Sequence, residues 1–341
     1  MNKKSKRKND LRSSIILLLI LVLLLISSTY AWFTANQTVT ISTLDVTIEA
    51  ANGLQISADA TNWKSILANA DIASTAAYNG NTNQIPTKMV PVSTVGDTDK
   101  DGNMIMYLGN VAANESTGNY ELTSTLQADA AGTAGNYIAF DIFLKVDADT
   151  SLQLSDASCV IMKDGSSDKG IKQASRVAFV IQGTKPAGTA VSDITSQNAG
   201  EDADVYIWEP NANWHTAAAV SHAKDTYGIT TGVSDTEVDS GVVSQDAVPY
   251  YGINSVISTG VVLANTNNGG STSFTLVEPE YVTESNEDGK LEEDLDIFSL
   301  SAGITKVRVY MWVEGQDVDC ENTASGTDIS YNLQFQVKQG A

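Results

Sequence analysis

Three segments of this chain alternate apolar and polar residues with a period of two, and that pattern limits the fold more than any other feature. In "NYIAFDIFLKVD" Ile138, Phe140, Ile142, Leu144 and Val146 fall on one face, with Asp141, Lys145 and Asp147 on the other. In "TKVRVYMWVE" Val307, Val309, Met311 and Val313 oppose Lys306, Arg308 and Glu314. In "DISYNLQFQVK" Ile329, Tyr331, Leu333, Phe335 and Val337 oppose Ser330, Asn332, Gln334, Gln336 and Lys338. Successive side chains of an extended backbone point to opposite sides, so each segment reads as a strand with one buried face and one solvated face.

Further β candidates are "MIMYLG" (104–109), "SRVAFVIQG" (175–183), "ADVYIWE" (203–209), "VPYYGINSVIS" (248–258), "GVVLA" (260–264) and "STSFTLVE" (271–278), separated by clusters of Gly, Asn, Asp, Ser and Thr. Two Ala-rich stretches, 62–78 and 211–228, read as short helices. The regular β/α alternation of a doubly wound sheet is missing, as is a Gly-rich phosphate loop. The expected fold is therefore all-β: a jelly-roll-like antiparallel sandwich with long loops, one or two short helices and a preceding N-terminal signal or anchor helix. Arg176-Val177 precedes Gly183 with the spacing by which Arg308-Val309 precedes Gly315. Three identities do not make a duplication, and the pair reads as two strands in similar roles.

The N-terminus carries an address. "MNKKSKRKNDLR" holds six of the chain's 20 basic residues, and an unbroken apolar core runs from Ile15 to Ile26. A basic flank before an apolar core is an export signal, and the positive-inside bias places the rest of the chain outside the cytoplasm. Thr29 and Ala31 meet the small-x-small requirement for a cut before Trp32 by signal peptidase; left uncut, the segment is long enough to act as an anchor. The chain thus divides into 1–31, signal or anchor, and 32–341, one β-sandwich domain with loop-rich insertions. Contact with the membrane is expected only through the N-terminal segment.

The net charge is −21, with 41 acidic residues. A surface of that sign repels phosphate backbones and excludes nucleic acid as a partner. With 42% hydrophobic residues over 341 positions, there is material for a large core.

The stretch "STYAWFTANQTVTISTLDVTIEA" (28–50) has no charge before Asp45. Val39 and Ile41 share one parity; Leu44, Val46 and Ile48 share the other. A one-residue slip flips the buried face, so the segment reads as two consecutive strands with a bulge or sheet change near Ser42 and Thr43. A strand at the start of a chain can pair in its own domain or add to a neighbour's open edge. Trp32, Phe33, Val39, Ile41, Leu44, Val46 and Ile48 are the candidate assembly residues.

The apolar signal, then "TYAWFTAN", then "STLDVTIEA", resembles the start of the TasA and camelysin family of Gram-positive surface proteins, exported through a dedicated SipW-type signal peptidase. The C-terminal "VRVYMWVEGQDVDCENTASGTDISYNLQFQV" is similar to the ending of exported proteins with that signal type. The resemblance covers roughly 50 residues at the two ends; the middle carries only a loose likeness. It implies a jelly-roll domain and a role in extracellular fibres of a biofilm matrix, built when one subunit's N-terminal strand completes the next subunit's sheet. Its partners would be further copies of itself or related surface proteins.

Catalytic chemistry is sparse. Some camelysin-type proteins are described as metalloproteases, but His215 and His222, the only two histidines, lie seven residues apart with no HExxH. A zinc hydrolase needs three protein ligands and a base, so the two read as a surface pair. The better metal candidate is "DTDKDGN", where Asp97, Asp99, Asp101 and Asn103 alternate around Gly102 as in a calcium loop. No acidic residue closes the cage at Leu108, and a solvated turn is the competing reading. Glu314, Asp317, Asp319 and Glu321 read as an acidic hairpin loop. Cys159 and Cys320 either form one bridge closing a long loop, worth about 3–5 kcal/mol, or stay as thiols. Trp208 and Trp214 flank "EPNAN" and serve either a sugar-stacking platform or the core.

The leading reading is a non-enzymatic, exported structural protein, a fibre or filament subunit with no certain cofactor. A calcium-dependent adhesin or carbohydrate-binding module is the alternative, and a secreted metalloprotease is the weakest.

Overall fold

A computed structural model describes residues 44–51, 53–163, 170–211, 214–216, 219, 233–238, 241–244, 249–263, 271–282, 290–291, 293–320 and 328–338. The signal segment and the assembly candidates Trp32, Phe33, Val39 and Ile41 lie outside these residues, as do His222 and Glu321.

The strands in chain order are β1 (Leu44–Ala51), β2 (Gln55–Ser57), β3 (Ile66–Ala68), β4 (Met106–Asn114), β5 (Asn119–Gln127), β6 (Ile138–Val146) and β7 (Thr150–Leu154). Next come β8 (Cys159–Met162), β9 (Ser175–Lys185), β10 (Val205–Glu209), β11 (Trp214–Thr216), β12 (Val233–Val238), β13 (Gly241–Ser244) and β14 (Tyr250–Ile253). The last are β15 (Val261–Val262), β16 (Phe274–Val277), β17 (Tyr281–Val282), β18 (Leu295–Leu300), β19 (Gly303–Val313) and β20 (Ile329–Val337). Two α-helices of about one turn, α1 (Asn69–Ile72) and α2 (Val191–Thr195), accompany them among the described residues. The protein is all-β.

Two six-stranded sheets form the body. One has the order β18-β7-β20-β1-β3, with β8 also on β20; the other has the order β17-β10-β9-β19-β6-β2. Their facing sides share one core, to which β1 gives Val46 and Ile48, β6 gives Ile138, Phe140, Ile142, Leu144 and Val146, β19 gives Val307, Val309, Met311 and Val313, and β20 gives Tyr331, Leu333 and Phe335. Phe179 of β9 meets Phe335 of β20 edge to face across that core, with ring centroids 5.7 Å apart. Each such side chain, fully buried, contributes about 1.5–3 kcal/mol.

The alternation in β6, β19 and β20 therefore locates the inner faces correctly, but it misjudges one outer face. All eleven residues of β19 are buried, and Asp141 on β6 is buried with them. A second apolar cluster, with Val92, Met104, Tyr137, Tyr250, Tyr310 and Trp312, covers the far side of the second sheet. Loops before β4, the 195–198 segment and the β14–β16 ribbon supply that cover. Lys306, Arg308 and Glu314, expected in water, lie beneath it.

The strands are not all antiparallel. β1 runs parallel to β20, from Leu44 beside Ile329 to Ala51 beside Gln336, and antiparallel to β3 on its other side; β10 and β17 are also parallel. Strands from opposite ends of a chain are not tied by a hairpin, so their relative direction is free. This corrects the assembly-strand expectation for Leu44, Val46 and Ile48: their strand is internal to its own sheet.

The Ala-rich stretch 62–78 holds β3 and the single turn α1, whose Asp71 accepts from the Ala68 N–H at 3.1 Å. The stretch from 211 opens as strand β11, antiparallel to β13. Trp208 is completely buried, which closes the sugar-platform reading at that residue.

Candidate functional site

Two groups of polar side chains lie under the cover of the second sheet, and both arise from the strand period. Every second residue of β19 points away from the shared core, so Lys306, Arg308, Tyr310 and Trp312 stand in a row on the outer face.

The first group forms the floor of a cavity of about 410 Å³. Arg308 is forked between two carboxylates: Nη1 donates to Asp141 Oδ1 at 2.9 Å, while Nη2 and Nε donate to Asp129 Oδ2 at 2.6 and 2.9 Å. Lys306 Nζ donates to the carbonyls of Thr195 at 2.8 Å and Gln197 at 3.2 Å, and it stands 3.5 Å from Asp141 Oδ2. Tyr78 donates its hydroxyl to Asp141. Burial pushes the Asp141 carboxyl up, but the Arg308 and Lys306 charges outweigh that and hold it below the ordinary carboxylate range. Burial in turn lowers the Lys306 ammonium, a shift that Asp141 opposes and Arg308 reinforces.

Three loops form the walls: 78–82, the hairpin tip at 101–103, and 195–198 just after α2. Asn83 fixes the first, because its side-chain oxygen accepts from the Asp141 N–H at 2.9 Å and its amide donates to Ile72 O at 2.9 Å. Gln182 of β9 fixes the second by donating to Gly102 O at 2.8 Å. Gly102 has φ +72°, and a Cβ there would collide with the Gln182 amide, so the close approach depends on glycine.

The second group is a buried charge network. Arg176 Nη2 lies 2.7 Å from Glu209 Oε1 and 2.5 Å from Asp317 Oδ2. His215 Nδ1 lies 2.5 Å from Asp319 Oδ2. Glu314 accepts from Trp312 Nε1 at 3.1 Å and from the Gln316 N–H at 3.0 Å. Burial pushes the Glu314 carboxyl up to about 7, against hydrogen bonds from Ser93 and Trp312. It also raises Glu209 to about 7, with Arg176 opposing. For His215, burial lowers the pKa, but the charge of Asp319 dominates and lifts the imidazole to about 9. A residue read as part of a surface histidine pair is thus buried on a carboxylate. Glu314, Asp317 and Asp319, read as an exposed acidic loop, are buried as well.

The other sequence candidates have definite places. The 97–103 segment is a tight hairpin. Asp99 Oδ1 accepts from the N–H groups of Asp101 at 2.8 Å and Asn103 at 2.9 Å, Asp97 receives Ile105 N–H on its backbone carbonyl, and Asp101 pairs with Lys100. Among the described residues no three His, Cys, Asp or Glu side chains converge as a metal-holding group, and Asp99 commits a carboxylate oxygen to the turn itself. Asp101 and Asn103 instead line the cavity. Cys159 and Cys320 are both buried thiols rather than a bridge; Asn332 Nδ2 donates to Cys159 Sγ at 3.7 Å, and burial raises the Cys320 thiol well above its usual range.

Sequence reasoning missed the cavity and the network, yet a signal existed. Arg176 and Arg308 each interrupt an apolar strand, and such an arginine needs carboxylate partners. The two strands are neighbours, with Arg176 beside Trp312 and Arg308 beside Val180, and each arginine holds two acids.

No family model, no curated protein and no solved structure matches this chain.

Proposed function

We propose that this chain is a non-enzymatic, exported structural protein of the cell surface, a subunit of extracellular fibres. The TasA-like and camelysin-like ends support this reading and bring with them a jelly-roll connectivity. The basic, apolar leader supports export. The observation that carries the reading is the position of β1. It lies between β20 and β3, paired on both sides, so in this scheme the strand given to a neighbour is drawn from 32–43. Trp32, Phe33, Val39 and Ile41 are the donated residues in this scheme. Leu44, Val46 and Ile48 act as their fixed anchor.

A recipient edge is available. β18 ends its sheet and pairs only with β7 among the described strands. Its six residues alternate imperfectly, with Ile297, Phe298 and Leu300 buried. An added strand would gain main-chain hydrogen bonds along that edge, with side chains setting the register.

The test is to express the exported protein with and without residues 32–43 and examine both by negative-stain microscopy. Filaments from the intact form and folded monomers from the shortened form are expected. Filaments of unchanged appearance from the shortened form would refute strand donation, and monomers from both would refute assembly itself.

A further inference from the structure

The cavity over Lys306 and Arg308 has a composition that narrows what it can hold. Its floor is charged but internally balanced, since Arg308 and Lys306 face Asp129 and Asp141. A free ion entering it would meet no uncompensated charge. The strongly negative chain further disfavours an anion. Apart from the Tyr78 ring, no aromatic or aliphatic residue lines it among the described residues, so an apolar ligand would find little there to pack against.

The rim offers neutral donors and acceptors in pairs. Asn79 and Thr82 stand on one wall, Asn103 on the second, and Ser196 and Asn198 on the third. The side-chain oxygen of Asn198 accepts from the Gly200 N–H at 2.7 Å, which fixes the amide and leaves its NH₂ directed elsewhere. Primary amides and hydroxyls, each both donor and acceptor, match the neighbouring hydroxyls of a polyol. The walls are pinned by the buried Asn83, Gln182 and Lys306 contacts, so the rim groups are held in place before a ligand arrives, which lowers the entropy lost on binding.

We propose that this cavity binds a neutral, polyhydroxylated ligand, a saccharide unit, between the Asn79, Asn103 and Ser196 rim groups above the Lys306–Asp141–Arg308 floor. At about 410 Å³ the space is at the small end of ligand pockets, suited to about one or two sugar residues. This site is separate from the strand-donation scheme and from the buried Trp208. A surface protein carrying it would hold a polysaccharide while its N-terminal segment engages other subunits.

The test is calorimetric titration of the secreted protein with glucose, galactose, N-acetylglucosamine and their β-linked dimers, followed by inorganic phosphate as the anionic probe. Saturable binding of at least one neutral sugar is expected. Ser196→Trp, at an exposed rim position, should fill the mouth and weaken that binding about tenfold or more with the melting temperature unchanged. Asn79→Trp, from the opposite wall, gives the same readout should the first variant fold poorly. Absence of saturable heat with every sugar, undiminished binding in both folded variants, or displacement of the sugar by phosphate would each overturn the proposal.

Discussion

Replacing Glu314 by Gln isolates one buried proton. Glu314 is fully buried just past the end of β19, and burial raises its carboxyl from 4.5 to about 7. In the unfolded chain the same group loses its proton near 4.5. Between those values the native state holds a proton that the unfolded state has released. Its contribution is therefore fully present below pH 4.5 and is lost as pH rises through 7, at about 1.4 kcal/mol per pH unit. The whole loss is on the order of 3 kcal/mol. Gln cannot ionise, but its single carbonyl oxygen replaces only one of the two acceptor oxygens, so Trp312 Nε1 on Oε2 or the Gln316 N–H on Oε1 loses its partner at every pH, a constant cost of about 1–3 kcal/mol. Glu314→Gln should therefore gain on the wild type by on the order of 3 kcal/mol between pH 4.5 and pH 8, a relative rise in melting temperature of roughly 5–10 °C by size scaling on top of that constant offset. His215, raised to about 9, makes both proteins weaken further as pH passes from 6.5 through 9, and the difference between them removes that shared slope. The assay is thermal or urea unfolding at half-unit pH steps from 4.5 to 8.5. Parallel pH curves for the two proteins would refute the argument that this carboxyl is protonated in the folded protein.

Two other perturbations test the remaining geometry. Arg308→Met leaves Asp129 and Asp141 buried without their shared cation and should destabilise by about 3–5 kcal/mol in urea unfolding; Arg308→Lys, lacking the fork, should recover only part of that. Asp99→Ala removes the acceptor for the Asp101 and Asn103 N–H groups and should cost about 1–2 kcal/mol, largely restored by Asn. A loss seen only when calcium is present would instead favour the calcium loop.

What the sequence made legible was the inner face of each long strand. Ile138 to Val146, Val307 to Val313 and Ile329 to Val337 keep a period-two pattern, because one sheet face must leave water wherever the strand lies. The same pattern is silent about what covers the opposite face. Lys306, Arg308 and Asp141 looked solvated because the covering loops, 78–82 and 195–198, have no periodicity of their own. Their partners are also distant in sequence: Arg176 meets Asp317, and His215 meets Asp319. Only the repeated arginine in an apolar strand hinted at buried acids. The "DTDKDGN" spacing marked a real turn but not its chemistry, since an Asp that caps backbone N–H groups and an Asp that binds calcium have the same sequence spacing. The parallel direction of β1 could not be read at all, because alternation carries no direction.

The pairing of β1 with β20 joins the two ends of the chain in time as well as in space. A polypeptide synthesised from its N-terminus delivers Leu44 to Ala51 first, yet the neighbour that closes their sheet arrives only with Ile329 to Val337. Until then Val46 and Ile48 have no completed core to enter, and the loop to be closed spans nearly the whole domain, a topology that folds slowly. Maturation is therefore set by the arrival of the last strand, and a chain truncated before Ile329 would emerge with its first strand paired to β3 alone and its other edge permanently unmatched.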